Sequence, residues 1–238
     1  MMIIVPMAFC MGATALGIVE EISCNARQAA RWTAPDFGWT PQRTWPKVPR
    51  ANLNPANRKM PERRTSTGRP VQTFGLDRLA TPIGTALLVT DDAGVLRALD
   101  WEDYEPRMKD LLRRQYGDVV LHDRQASAAL LTALAGYFKG DLDRLSDIAW
   151  RVGGTPFQQK VWSALPGIPA GRTMSYGAMA AQLQAPKAMR AVGHANGANP
   201  ISVVLPCHRL IGSDGKLVKY GGGLARKRWL LQHEGVEV

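Results

Sequence analysis

Beyond residue 72 the apolar and polar positions fall into short, repeating patterns. The run "TPIGTALLVTDDAGVLRALDW" (81–101) holds two apolar stretches parted by Asp91, Asp92 and Gly94. Turn residues between two β-prone stretches predict a β-hairpin. "YEPRMKDLLRRQYG" then sets Met108, Leu111 and Leu112 at helical spacing and ends on a glycine, and "ASAALLTALAGYFKG" (126–140) repeats that design. Both predict amphipathic helices with a glycine stop. Residues 73–150 therefore read as a small α+β unit.

A second unit opens at "TPFQQKVWSAL". Thr155 can cap a helix, Pro156 suits its first turn and Gln158 completes a capping box. Phe157, Val161 and Leu165 share one face, with Trp162 beside them as a core residue. Two short alanine-rich stretches follow, the first capped by Ser175 and the second opened by Pro186 and closed at Asn196-Gly197. Their tight spacing, with Lys187 and Arg190 on the second, suggests a helix-turn-helix, although small-residue helices also pack as ordinary core. "ISVVL" (201–205) reads as a buried strand ending at Pro206, "LIGSDGKLV" as a hairpin on its Asp-Gly turn, and "LARKRWLLQHEG" as a final helix stopped by Gly235.

The chain before this differs in kind. From Cys24 to Gln72 it carries seven prolines and little periodicity, the composition of a linker or disordered segment. Residues 1–72 thus read as an extension, with Met60 a candidate start just ahead of the ordered part. The first nineteen residues are apolar, but they lack a basic leading segment, are broken by Pro6, Gly12 and Gly17, and run into Glu20 and Glu21. Those features argue against a signal peptide or membrane anchor.

Charge sharpens this division. The net charge is +10, yet Lys and Arg outnumber acids ten to four in residues 1–72, fall behind nine to thirteen in 73–150, and lead eleven to three in 151–238. A basic final third beside an acidic unit suits a phosphate-binding face, though a solvated surface accounts for it as well. The three cysteines, Cys10, Cys24 and Cys207, form no CxxC pair, so a disulfide framework is not expected and a reducing cytoplasm is.

The stretch "VVLPCHRLIGSDG" (203–215) carries the candidate chemistry. Cys207 follows a rigid proline at a predicted strand-to-loop junction within the basic third, a setting that favours thiolate. His208 is its neighbour in sequence, so in an extended segment the two side chains diverge and a proton relay between them needs a water. A buried, inert cysteine and a histidine bonded to backbone are the alternatives. Glu234 falls at the C-terminal end of the last helix, where the macrodipole disfavours a carboxylate. Such a charge calls for a specific partner, and an imidazole is one candidate.

"TPFQQKVWSALPGIPAGRTMSYGAMA", "NPISVVLPCHRLIG" and "YGGGLARKRWLLQHEG" resemble, in order and spacing, the O6-alkylguanine-DNA alkyltransferases, also called methylated-DNA-protein-cysteine methyltransferases. The likeness covers roughly residues 73–238 and is strongest after Thr155. It implies an α+β fold: a small N-terminal α/β domain over 73–150, ribonuclease H-like in the family, then a mostly helical DNA-binding and catalytic domain over 151–238 with a helix-turn-helix and an active-site strand and turn. It implies a single-turnover transfer of an alkyl group from O6-alkylguanine, with O4-alkylthymine a further candidate substrate, onto Cys207. In that scheme His208 takes the thiol proton through a water and Glu234 orients the imidazole. Asn199 would be the hinge before the active-site turn, Tyr176 would crowd the DNA backbone and donate a proton to the base, and Arg190 would fill the vacated stack. Lys187 and Arg209 would contact DNA, and Leu210, Tyr220 and Gly221 would line the substrate pocket.

The same resemblance implies a cytoplasmic monomer, without membrane attachment, that binds double-stranded DNA in the minor groove and flips the alkylated base. It implies no cofactor, and no metal, since Cys10 and Cys24 do not reproduce the zinc site of some members. Ala198, Lys219 and Gly221 depart from residues common in the family, which bears on affinity and alkyl range. A Cys-His hydrolase that turns over, and a DNA-binding lesion sensor without transfer, are the competing classes. The sensor reading is weakened by the presence of Cys207.

Overall fold

The structure, a computed structural model, describes residues 71–238. The readings of the apolar start, of the proline-rich stretch up to residue 70, and of Cys10, Cys24 and Met60 lie outside the described residues, while Gln72 already belongs to the first strand. Among those described, no helix is long and apolar enough to cross a membrane.

The chain begins with β1 (Gln72–Thr81), β2 (Gly84–Thr90) and β3 (Leu96–Trp101), an antiparallel meander in which β2 and β3 form the expected hairpin. Helix α1 (Glu105–Tyr116) leads to β4 (Val119–Asp123), which pairs parallel with β1 and gives the sheet order β3-β2-β1-β4. A parallel return needs a crossover, and α1 supplies it. Neither β1 nor β4 stands out in the sequence, because β1 buries only Phe74, Gly75 and Leu76 in succession and β4 buries nothing fully.

Strand β2 is covered on both faces, which is why it reads as an unbroken apolar run. Leu87 and Val89 face α1 through Phe74, Met108 and Leu112, while Ala86 and Leu88 face a larger core that extends into the second half of the chain. That core gathers Leu130, Leu134 and Tyr137 of α2 (Ala128–Phe138), Val161 and Trp162 of α3 (Pro156–Ala164), and Met179 and Val192 from the pair α4 (Tyr176–Gln182) and α5 (Met189–Gly197). The anticipated capping box of α3 is present, with Thr155 and Gln158 bonding each other's backbone, and Ser175 caps α4. Trp162 is buried as expected and donates its indole N–H to Ala195 O at 2.7 Å, tying α3 to α5.

Two expectations need correction. Residues 201–205 form no strand, only a buried turn with Val203 in the left-handed region at φ 69°. A β-branched run is also what a fully buried turn needs, so its composition cannot distinguish the two. The turn docks on the edge of β3, where Leu99 N–H donates to Pro200 O and Ser202 N–H donates to Leu99 O. The second correction concerns "LIGSDGKLV". The Asp214-Gly215 turn forms, but β6 (Leu210–Ile211) pairs in parallel with β5 (Met174–Ser175) and no strand returns from the turn. Helix α6 (Leu224–His233) closes the fold, with Gly235 past its end at φ 82°.

Candidate active site

Asn199 builds the turn that presents Cys207. Its side chain is fully buried, accepts from Ile201 N–H at 3.0 Å and donates to Leu205 O at 2.8 Å and Ile201 O at 3.3 Å. A side chain thus supplies the partners that a strand ladder would have given. The chain then passes Pro206 into a single 3-10 turn, Cys207–Arg209. From α5, Asn196 donates to Cys207 O at 3.2 Å and lies 3.5 Å from Tyr176 Oη. Asn196 looked like a helix stop in the sequence; its burial and its bond to Cys207 O show that it braces the Cys207 backbone.

His208 and Glu234 meet. The imidazole Nε2 lies 2.9 Å from Glu234 Oε1, with both side chains wholly buried. Glu234 Oε1 also receives Arg209 Nη2 at 2.8 Å and Tyr137 Oη at 2.8 Å, and Arg209 Nε donates to Oε2 at 2.9 Å. A carboxylate so surrounded can only accept, so Nε2 must carry the proton and Nδ1 is left as the basic nitrogen. Nδ1 is buried and has no hydrogen-bond partner in the protein. Burial would raise the Glu234 carboxyl, but hydrogen bonds and charge from His208 and Arg209 reverse this and hold it far below the usual range. Burial lowers His208, partly offset by Glu234, so the imidazole is neutral at rest.

Cys207 is 3% exposed. The expectation of a thiolate set by the basic third is not met, because burial pushes the thiol up. Asn199, Arg107 and Lys227 pull in the other direction without overcoming it. A thiol held neutral in this way can act as a nucleophile only after its proton is removed.

Arg209, expected on the DNA surface, is instead buried, with its guanidinium committed to Glu234 and Ile168 O. An interior carboxylate demands such a partner. Leu210 is a buried core side chain, and its carbonyl accepts from Lys227 Nζ. Tyr220 stands edge-on to His208 with ring centroids 6.5 Å apart, and Gly221 lies against the Arg107 guanidinium. Lys187 and Arg190 are exposed, and Tyr176 is half-buried at the start of α4.

Sequence reasoning missed Tyr137, Arg107, Asp100 and Lys227. Arg107 pairs with the buried Asp100 and donates to Gly197 O at 2.9 Å and Asn199 O at 3.2 Å, bracing the active-site turn from α1. Lys227 had a legible signal: Leu230, Leu231 and Glu234 follow at three, four and seven positions, which places it on the buried face. Burial lowers its ammonium to about 8.

The family profile "6-O-methylguanine DNA methyltransferase, DNA binding domain" matches residues 156–236. A methylated-DNA–protein-cysteine methyltransferase of Salmonella typhimurium is 49% identical over 161 residues, which span 67% of this chain and 94% of that protein. The Mycobacterium bovis enzyme of the same name is 52% identical over 112 residues, covering 47% of this chain and 67% of its own. Among solved structures, Mycobacterium tuberculosis OGT in complex with DNA superposes with a TM-score of 0.55 at 39% identity, covering 68% of this chain and 92% of that one. Since the Salmonella protein is matched at 49% identity along nearly its whole length, the chain belongs to the methylated-DNA–protein-cysteine methyltransferase family.

Proposed function

We propose that this protein repairs DNA directly by taking the alkyl group of O6-alkylguanine onto Cys207, once per molecule. The observation that carries the assignment to residues is the buried chain Arg209–Glu234–His208, which leaves one imidazole nitrogen basic and unpartnered next to the cysteine in sequence. His208 Nδ1 removes the Cys207 proton through a water, and Glu234 stabilises the imidazolium that forms. As the sulfur–carbon bond forms, the bond between carbon and guanine O6 breaks. Tyr176 protonates the departing base and regains a proton from solvent, so the thiol proton is balanced by one gained by guanine. The product is a thioether with no leaving group for hydrolysis, which makes the reaction stoichiometric.

A buried sulfur cannot reach a base inside a duplex, so the base must be extruded, at a cost of a few kcal/mol of unstacking. The short pair α4 and α5, joined through Gln184 at φ 57°, supports a helix-turn-helix reading. Its exposed Lys187 and Arg190 are suited to phosphate contact and to filling the vacated stack in a minor-groove complex. The meander β1–β3 with β4 parallel to β1 supports the ribonuclease H-like reading of residues 73–150, with 151–238 as the catalytic and DNA-binding part. Residues 1–72 remain an extension in this proposal, the molecule acts as a monomer in the cytoplasm, and neither cofactor nor metal enters the chemistry.

The test is the mass of the protein after incubation with a duplex holding one O6-methylguanine. One methyl group on the Cys207 peptide, saturating at one per molecule and absent from Cys207→Ala, is expected. Methylation elsewhere, or turnover beyond one equivalent, would refute the assignment.

A further inference from the structure

We infer that Tyr137 is a positioning residue for the transfer, tuning His208 through Glu234; the inference rests on the proposed roles of Cys207 and His208. Tyr137 lies on α2, far from the active-site turn in sequence, and is fully buried. Its hydroxyl donates to Glu234 Oε1, the same oxygen that holds His208 Nε2. The ring is fixed by edge contacts with Phe138 and His233, and the His233 imidazole lies 2.7 Å from Tyr137 O while stacking on Trp229. Tyr137 is thus held from both its ends, and its hydroxyl has no freedom to seek another acceptor.

Oε1 is shared by three donors: Tyr137, His208 and Arg209. Each additional donor disperses its charge and weakens its pull on the imidazole. Tyr137 therefore opposes formation of a resting imidazolium, in which Nδ1 would carry a proton and could accept none. The ionisable groups around the imidazole are Glu234, Arg209, Lys227, Cys207 and Tyr220, with His233 behind Tyr137. Of these only Glu234 raises the histidine, while Arg209 and Lys227 lower it. The phenol itself stays protonated, since burial and the Glu234 carboxylate hold it far above its ordinary value.

Single-turnover transfer to an O6-methylguanine duplex, followed by mass across pH, tests this. In Tyr137→Phe the Glu234 carboxylate gains basicity and His208 protonates more readily, so the acidic limb of the rate profile should move up by about half a pH unit or more. Site-specific 3-fluorotyrosine at position 137, a stronger donor of nearly the same size, should move the limb down, and it tests the idea even where the phenylalanine variant fails to fold. Limbs that stay at the wild-type pH in both proteins, whatever the rate, would overturn the inference and leave Tyr137 a packing residue. A wild type that methylates no Cys207 would overturn the underlying reading along with it.

Discussion

Asn199→Ala gives the sharpest test of how the turn that presents Cys207 is held, because the bonds it removes can be followed to their remaining partners. Ile201 O keeps a bond from Leu205 N–H, and Leu205 O keeps one from Cys207 N–H. Ile201 N–H keeps nothing else, since Asn199 Oδ1 is its acceptor. The substitution thus orphans one buried donor, at about 1–3 kcal/mol, and removes two further neutral bonds worth about 1 kcal/mol each. The expected loss is about 3–5 kcal/mol in urea unfolding, with the midpoint lowered and the slope unchanged. Asn199→Asp is the control. It keeps the acceptor for Ile201 but sets a carboxylate oxygen against two carbonyl oxygens, so at neutral pH it should be at least as damaging, with partial recovery at acid pH on protonation. A loss under about 1 kcal/mol for alanine, or a benign aspartate, would mean that the turn is held by packing on β3 and not by this side chain.

The remaining predictions concern acid stability and DNA. His208 is lowered by burial, so it contributes a loss of stability as pH falls below its ordinary value of about 6.5. Glu234 is also lowered, so its contribution is present above its ordinary value of 4.5 and is lost progressively as pH falls below it. Asp100 is raised to about 6 by burial, which Arg107 only partly offsets, and works in the opposite direction between about 4 and 6. Arg209→Ala, which leaves Glu234 buried without its cation, should cost about 3–5 kcal/mol at pH 7 and much less near pH 3, as read by denaturant titration; an equal loss at both would refute the pairing. Lys187→Ala should reduce the salt dependence of DNA affinity by about one phosphate contact. Arg190→Ala should slow transfer from a stably paired lesion more than from a mismatched one, and equal slowing would count against its stacking role.

Local chemistry made part of this molecule legible. Thr155 with Gln158, Ser175 before α4 and the glycine after α6 act within a few residues, so the sequence shows them complete. The conflict between Glu234 and its helix end was visible too, as a charge in need of a partner. Its partners were not, because Tyr137 and Arg209 come from elements that only the tertiary fold brings together. Arg209 looked like a surface cation for the same reason. Residues 201–205 were misread because apolar composition reports burial, while the choice between strand and turn was made by the Asn199 side chain and the edge of β3.

The position of Glu234 along the chain has a consequence for synthesis. A ribosome delivers Tyr137 first, then Cys207, His208 and Arg209, and Glu234 after them all. Until that carboxylate emerges, the imidazole and the guanidinium have no common anion to gather them, and the phenol has no acceptor. The nascent protein therefore carries Cys207 and His208 only through the last short stretch of translation before Glu234 joins them. The buried chain Arg209–Glu234–His208 can close only once the last turn of α6 has been made.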